Sequence, residues 1–178
     1  MKTTIKVILA EDHLIVREGI RRLLEEAGDF IVVAEAESGR EAVSQVARLH
    51  PDVVVMDIAM PLLNGLDACR QLLASDPIIR VLILSAHMDD AYVEGAIDAG
   101  AAGFTLKHAP GHELAHAIRE VHAGRFFFNE SILRRSRTLQ TGLPDEACPK
   151  NRARLSPGKR KCSNWSQKAR RTKKPPMN

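Results

Sequence analysis

The segment VVVMDIAMPLLNG, residues 53–65, constrains this chain most: four consecutive apolar residues, Val53 to Met56, run straight into a carboxylate, Asp57, and then into a Pro and Gly turn. An apolar run this short reads as a strand buried on both faces, the setting of a parallel sheet covered by helices. Asp57 then stands at the strand's carboxyl edge, where open α/β sheets place their ligand sites. The same arrangement occurs earlier in IKVILAEDH, with Ile5 to Ala10 as the strand and Glu11 and Asp12 at its end. Two strands thus bring three carboxylates to one edge.

Three acids in a small volume repel one another and raise their pKa values unless a cation compensates. Mg²⁺ suits such a site, because it accepts a few carboxylate oxygens, keeps several waters and shares a phosphate. Two further strand ends join the group. VLILSAH places Ser85 at the end of a fourth apolar run, and AAGFTLKH places Lys107 at the end of a fifth. A hydroxyl and an ammonium beside a metal-bound carboxylate would hold a phosphoryl group on Asp57.

Each of these residues also has a plainer reading. An acidic pair after a strand, taken alone, is a turn or a helix cap; the metal reading of Glu11 and Asp12 rests on Asp57 and Lys107 arriving at matching strand ends. Ser85 could cap the next turn, and Phe104 is by default a core aromatic. Lys107 has an evident charge partner in the acidic pocket. All seven histidines lie before residue 123, and His112, His116 and His122 fall near one another on the last helix. Without a third ligand, that spacing reads as a solvated face.

Between the strands run helix-period segments: 13–27, closed by Gly28; 38–49, opened by Ser38 and followed by Pro51; 64–74; 89–99; and 110–122. These carry apolar residues at helical spacing and recognisable start and stop signals. With Phe30 to Ala36 as the second strand, the order is βα repeated five times. Right-handed crossovers and helices on both faces then give a doubly wound parallel sheet.

Charge divides the chain in two. Residues 1–122 hold 11 Lys and Arg against 19 Asp and Glu, whereas residues 123–178 hold 15 against 3. The acidic part fits a magnesium-binding switch; the basic part could touch nucleic acid or be solvated and unfolded. Cys69, Cys148 and Cys162 have no metal spacing and are odd in number, so they read as unpaired thiols. No stretch reaches the roughly 18 apolar residues of a membrane span, and the Lys-Thr-Thr start does not read as a signal peptide, so a cytoplasmic location is expected.

Glu11-Asp12, Asp57, the MPLLNG segment, Ser85, Phe104 and Lys107 together resemble the receiver domain of bacterial two-component response regulators. AEDHLIVREGI is similar to the transcription-factor subfamily with a LuxR-type helix-turn-helix. The likeness covers residues 4–122, about two-thirds of the chain. It implies a flavodoxin-like sheet of order 2-1-3-4-5 and an Asp57 that accepts a phosphoryl group from a sensor histidine kinase. It also implies Mg²⁺ held by Glu11, Asp12, Asp57 and the backbone carbonyl of Ala59. Ser85 and Phe104 would move once Asp57 is charged, Phe104 turning inward, and bias a surface on the fourth helix, fifth strand and fifth helix that drives homodimerisation in the family. Such a chain is a switch that turns over only its own phosphoryl group, not an enzyme. His108 follows the lysine where relatives often carry Asp, and Ala59 offers no side chain to the phosphoryl group, which bears on phosphate lifetime.

After His122 the family continues through a linker, here 123–153, into a four-helix DNA-binding module, whose opening RLSP resembles Arg154 to Pro157. The rest, GKRKCSNWSQKARRTKKPPMN, has 8 basic residues, no acid and little apolar periodicity. On composition it is disordered and cannot bury a helix-turn-helix core. Trp165 requires TGG and Asn164 requires AAY, so the neighbouring frame across them reads leucine. Continuing that frame from Pro157, the permitted residues include R-E-A-E-V-L-Q-L-V-A-E-G-K-T-N-K-E, similar to the first two helices of the missing module. Residues 154–178 therefore read as a frameshifted remnant, with DNA bound weakly and non-specifically if at all. Two other readings stand beside this: a natural basic tail that binds nucleic acid, and a metal-dependent phosphatase on a similar fold. The phosphatase would want an acid two residues after its nucleophile, where Ala59 stands.

Overall fold

The computed structural model describes residues 4–128. Five strands alternate with five helices: β1 (Ile5–Ala10), α1 (Leu14–Ala27), β2 (Phe30–Ala36), α2 (Gly39–Leu49), β3 (Val53–Asp57), α3 (Gly65–Ser75), β4 (Arg80–Ser85), α4 (Asp90–Asp98), β5 (Gly103–Leu106) and α5 (Gly111–His122). The strands form one parallel sheet in the order β2-β1-β3-β4-β5, as the family resemblance implies. A register shift between Val7 and Ile8 is the one irregularity of the β1–β2 pairing.

The apolar runs are continuous because both sheet faces are covered. Ile8, Ala10, Val54, Met56, Val81 and Ile83 point to one side, where they pack with Ala42 and Val46 of α2, Ala68, Cys69 and Leu72 of α3, and Val93 and Ala96 of α4. Their strand neighbours Val7, Leu9, Val53, Val55, Leu82 and Leu84 point to the other side and meet Ile20 and Leu24 of α1 and Leu114, Ile118 and Val121 of α5. The period of two along each strand and the spacing of three or four along each helix thus converge on two apolar layers. Burying a side chain such as Leu24 or Ile118, each wholly inaccessible, contributes roughly 1.5–3 kcal/mol.

Helix ends follow the local chemistry. Ser38 accepts a hydrogen bond from the Glu41 amide (3.3 Å), and the Glu41 carboxylate accepts one from the Glu37 amide (2.9 Å). Asn64 and Asp89 cap α3 and α4 through the amides of Asp67 and Ala91, both at 2.9 Å. The predicted segment starting at residue 13 forms a helix from Leu14, with His13 as an extended N-cap whose side chain caps nothing.

The described chain runs past His122, where sequence reasoning ends the domain. Phe127 N–H donates to the Ala102 carbonyl (3.0 Å) and the Phe104 N–H donates to the Phe127 carbonyl (2.8 Å), a single parallel bridge on the free edge of β5. This approach requires glycine at 103, where a Cβ would lie 2.8 Å from the Phe127 carbonyl oxygen. The linker from residue 129, Cys148, Cys162 and the basic tail at 154–178 lie outside the described residues, and with them the expectation of a disordered remnant. Among the described residues no helix is long and apolar enough to cross a membrane.

Candidate functional site

Parallel pairing of Ala10 with Met56 brings the ends of β1 and β3 level, so Glu11, Asp12 and Asp57 meet at one edge. Glu11 and Asp57 are buried, with 0% and 2% of their surfaces exposed, while Asp12 is partly open to solvent. Lys107 enters from the end of β5. Its Nζ donates to Glu11 Oε1 (3.0 Å) and also lies 2.7 Å from Glu11 Oε2 and 3.0 Å from Asp57 Oδ2. Burial works against the ammonium, but its bonds and charge contacts with Glu11 and Asp57 outweigh it, so the Lys107 pKa is raised above 10.5. Lys107 therefore stays positive at neutral pH.

Ion pairing with Lys107 and His13 still leaves three acid oxygens without an aligned hydrogen bond. Glu11 Oε2, Asp12 Oδ1 and Asp57 Oδ2 are buried and receive no aligned hydrogen bond, although Lys107 lies close to two of them. Buried carboxylate oxygens without donors are costly unless a cation reaches them. Ligand atoms of Glu11, Asp12, His13 and Asp57 all lie within 4.8 Å of one another. A small set of hard oxygens open on one side fits Mg²⁺.

The segment after Asp57 is shaped by its own backbone. The Ile58 carbonyl accepts from the amides of Met60 (3.2 Å) and Gly65 (3.0 Å), and the Leu63 carbonyl accepts from Gly39 N–H (3.1 Å). Leu62 takes φ +66°, a left-handed conformation unusual for leucine. Gly65 has no alternative: a Cβ there would sit 2.0 Å from the Asp57 carbonyl oxygen. Ala59 is exposed, and no hydrogen bond among the described residues uses its carbonyl.

Ser85 and Phe104 are both near the site but stand differently. The Ser85 hydroxyl donates to the His87 carbonyl (2.7 Å) and accepts from the His87 amide (3.2 Å), so it closes the turn after β4. The Ser85 carbonyl takes the Lys107 N–H at 2.8 Å, tying β4 to the base of the lysine. Phe104 is 2% exposed and already packed in the core layer under α4. The inward turn expected of it is thus the position it occupies in this conformation.

Two contributors escaped sequence reasoning. Arg17 in α1 was not singled out by any motif, yet it is 5% exposed. Its guanidinium donates to the Glu11 carbonyl (2.6 Å), to Glu35 (2.9 Å) and to Glu37 (2.8 Å), joining the ends of β1 and β2 behind the acids. Its position one turn before Ile20 and two before Leu24, on the buried face, was the available signal. His13 is the other. Its Nδ1 lies 3.0 Å from Glu11 Oε1 and 2.8 Å from Asp12 Oδ1, and bonding to Glu11, followed by the Asp12 charge, raises its pKa above 6.5. His112, His116 and His122 join no candidate metal cluster among the described residues, whereas the His116 ring packs edge-on against Phe127 at 5.8 Å.

Comparison with known proteins agrees with this geometry. Residues 7–119 match the response regulator receiver domain as a family. The chain is 38% identical over 128 residues to the transcriptional regulatory protein DegU of Brevibacillus brevis, covering 72% of this chain and 54% of DegU. It is 43% identical over 121 residues to the DNA-binding transcriptional activator DevR/DosR of Mycobacterium tuberculosis, covering 68% and 56%. The chain thus spans little more than half the length of these relatives. A crystal structure of a LuxR-family two-component response regulator from Aurantimonas superposes with a TM-score of 0.72 and 36% identity, covering 78% of this chain and 99% of that one.

Proposed function

Because this chain belongs to the response regulator receiver family, of the LuxR/NarL type, we propose that it is a phosphorylatable switch in which Asp57 accepts a phosphoryl group from the phosphohistidine of a sensor kinase. The observation that carries this reading is the position of Asp57: buried at a strand end, 3.0 Å from the Lys107 ammonium, beside Glu11 and Asp12, each with one buried oxygen that has no aligned hydrogen bond. An Asp57 oxygen attacks phosphorus in line with the departing imidazole nitrogen, which leaves with the P–N electron pair. Glu11 and Asp12, with the Ala59 carbonyl, would hold Mg²⁺, which supplies positive charge to the transferring oxygens. Lys107 adds its own charge and, already poised against Asp57, needs little rearrangement to reach a phosphoryl oxygen.

The new charge also competes for the Ser85 hydroxyl. In this reading Ser85 leaves the His87 carbonyl for a phosphoryl oxygen, and the turn between β4 and α4 is the element whose equilibrium shifts. Output would pass through α4, β5 and α5, the surface that pairs two copies. Residues 154–178 as written, basic and without the apolar pattern of a helix-turn-helix, would bind nucleic acid by charge alone. The proposed location is the cytoplasm, where sensor kinases present their phosphohistidine.

Intact mass after incubation with acetyl phosphate and Mg²⁺ should rise by one phosphoryl group, and Asp57→Ala should abolish the rise. Labelling unchanged in that variant would remove Asp57 as the acceptor.

A further inference from the structure

We propose that the cavity between the end of β5, the start of α5 and the outgoing residues Phe127 and Phe128 binds a small organic cation with an apolar body. The cavity measures about 520 Å³, within the range of pockets that take small-molecule ligands.

Its walls are Met88 before α4, Leu106 and Pro110 on either side of the β5–α5 turn, and Phe127 and Phe128. Phe104 and Thr105, 2% and 4% exposed, are the buried members of the lining. The Thr105 hydroxyl is buried and has no hydrogen-bond partner among the described residues, a state that is uncommon in folded proteins and costly to keep. A hydrogen-bonding group carried to the floor of the cavity would satisfy it.

Charge selects the kind of ligand. Glu113, in the first turn of α5, is the one carboxylate of the lining, and its side chain makes no hydrogen bond or ion pair among the described residues. A first-turn acid complements the helix dipole, which accounts for its presence but leaves its charge open to a ligand. No lysine or arginine lies between Arg80 and Lys107 in the chain, and Lys107 is turned to Glu11 and Asp57. Asp89 and Asp90, exposed just after Met88, add negative charge. The surroundings therefore favour a cation over an anion, and aromatic rings beside a carboxylate suit an organic cation in particular. A bare metal ion would find one carboxylate and apolar walls, too few donors to hold it.

Position gives such a ligand leverage. Met88 follows His87, whose carbonyl accepts from the Ser85 hydroxyl, and Leu106 and His108 flank Lys107 in the chain. A ligand seated here touches both arms of the switch. This consequence, unlike the binding itself, rests on the reading of Asp57 as phosphoacceptor. Ligand affinity then differs between the phosphorylated and the free chain.

Amide chemical shifts of the isotope-labelled full chain measure binding of phenylbutylammonium, with phenylbutanol and phenylbutyrate as neutral and anionic controls. The cation should bind with a Kd of about 1 mM or tighter, as roughly a dozen non-hydrogen atoms allow, and should shift Leu106, His108 and Phe128 most. It should bind at least about tenfold tighter than the anion. Glu113→Gln should cost the cation about fivefold and leave the alcohol within about twofold, while Phe128→Ala should weaken all three. Asp57→Ala should bind the cation as the parent does. Labelling with acetyl phosphate and Mg²⁺ should change the cation's affinity at least about threefold. No saturable shift at about 10 mM, an anion bound as tightly as the cation, or an undiminished cation affinity in Glu113→Gln overturns the site. Equal affinity for labelled and unlabelled chain overturns the regulatory consequence. A chain that binds the cation but takes no label overturns the phosphoacceptor reading and leaves the site standing.

Discussion

Replacing Arg17 tests how the acidic edge is held. Arg17→Ala leaves the buried Glu11 carbonyl without its 2.6 Å donor, and an orphaned buried acceptor costs about 1–3 kcal/mol. Glu35 and Glu37, with 33% and 70% of their side chains exposed, rehydrate in part, so losing both ion pairs adds about 1 kcal/mol. The guanidinium stem packs on the inner face of α1, and its loss adds about 1 kcal/mol more. The sum, about 3–5 kcal/mol, is a large share of the roughly 5–15 kcal/mol that holds a domain together. Arg17→Met keeps the stem and should cost about 2–4 kcal/mol. Urea denaturation followed by far-ultraviolet circular dichroism measures both, provided the slope against urea is unchanged. If both variants lie within about 1 kcal/mol of the parent, the bond to the Glu11 carbonyl contributes nothing net, as happens where the desolvation of a buried charge cancels its contacts. In addition, Mg²⁺ affinity should fall in both variants, because the freed carbonyl belongs to the residue that precedes Asp12.

Gly65→Ala should destabilise by more than about 3 kcal/mol and abolish labelling by acetyl phosphate, since the Asp57 backbone must move aside. Gly19→Ala is its control: nothing lies within 4 Å of that position in α1, and the substitution should stabilise by about 0.5–1 kcal/mol. The Lys107 pKa is raised in the folded protein, so the stability it contributes is complete below about pH 10.5 and is lost as pH rises through the higher folded value. Lys107→Met should lack that alkaline component in urea unfolding; identical pH profiles above 10.5 would remove the lysine from the balance. Titration of the full chain against a promoter duplex and a scrambled duplex at about 150 mM salt should give equal, salt-sensitive binding. A preference of a hundredfold or more for either would refute the reading of the tail as sequence-blind.

The order of the elements and the edge carrying the acids were legible because each strand is an unbroken apolar run with a distinct residue at its end. Asp57 after VVVM and Lys107 after GFTL could be placed before any coordinates. Helix starts were legible to within a residue, since Ser38, Asn64 and Asp89 announce themselves as caps. What sequence conceals is where a long side chain goes. Spacing puts Arg17 on the inner face of α1, but nothing local names its partners, Glu35 and Glu37 at the end of β2, contacts across 18 and 20 residues. The direction of the Ser85 hydroxyl depends on the turn to His87, which no pattern specifies. The partner of the β5 edge came from beyond α5, where Phe126 to Phe128 read as the start of a linker and not as sheet.

That last contact has a mechanical consequence. Phe104 and Phe127 are joined through their backbones, and the strand that carries Phe104 ends at Leu106, one residue before Lys107. The polypeptide leaving the domain is therefore fastened to the same strand that reaches into the acidic pocket. Sliding of β5 would pass to the outgoing chain through these two hydrogen bonds and through the Phe127 and Phe128 side chains, which pack against the two apolar layers. The bridge is also the sheet's weakest seam, one residue pair long, so it is where such a pull would release first. Residues 126–128 thus tie the outgoing chain to the strand that leads into the pocket.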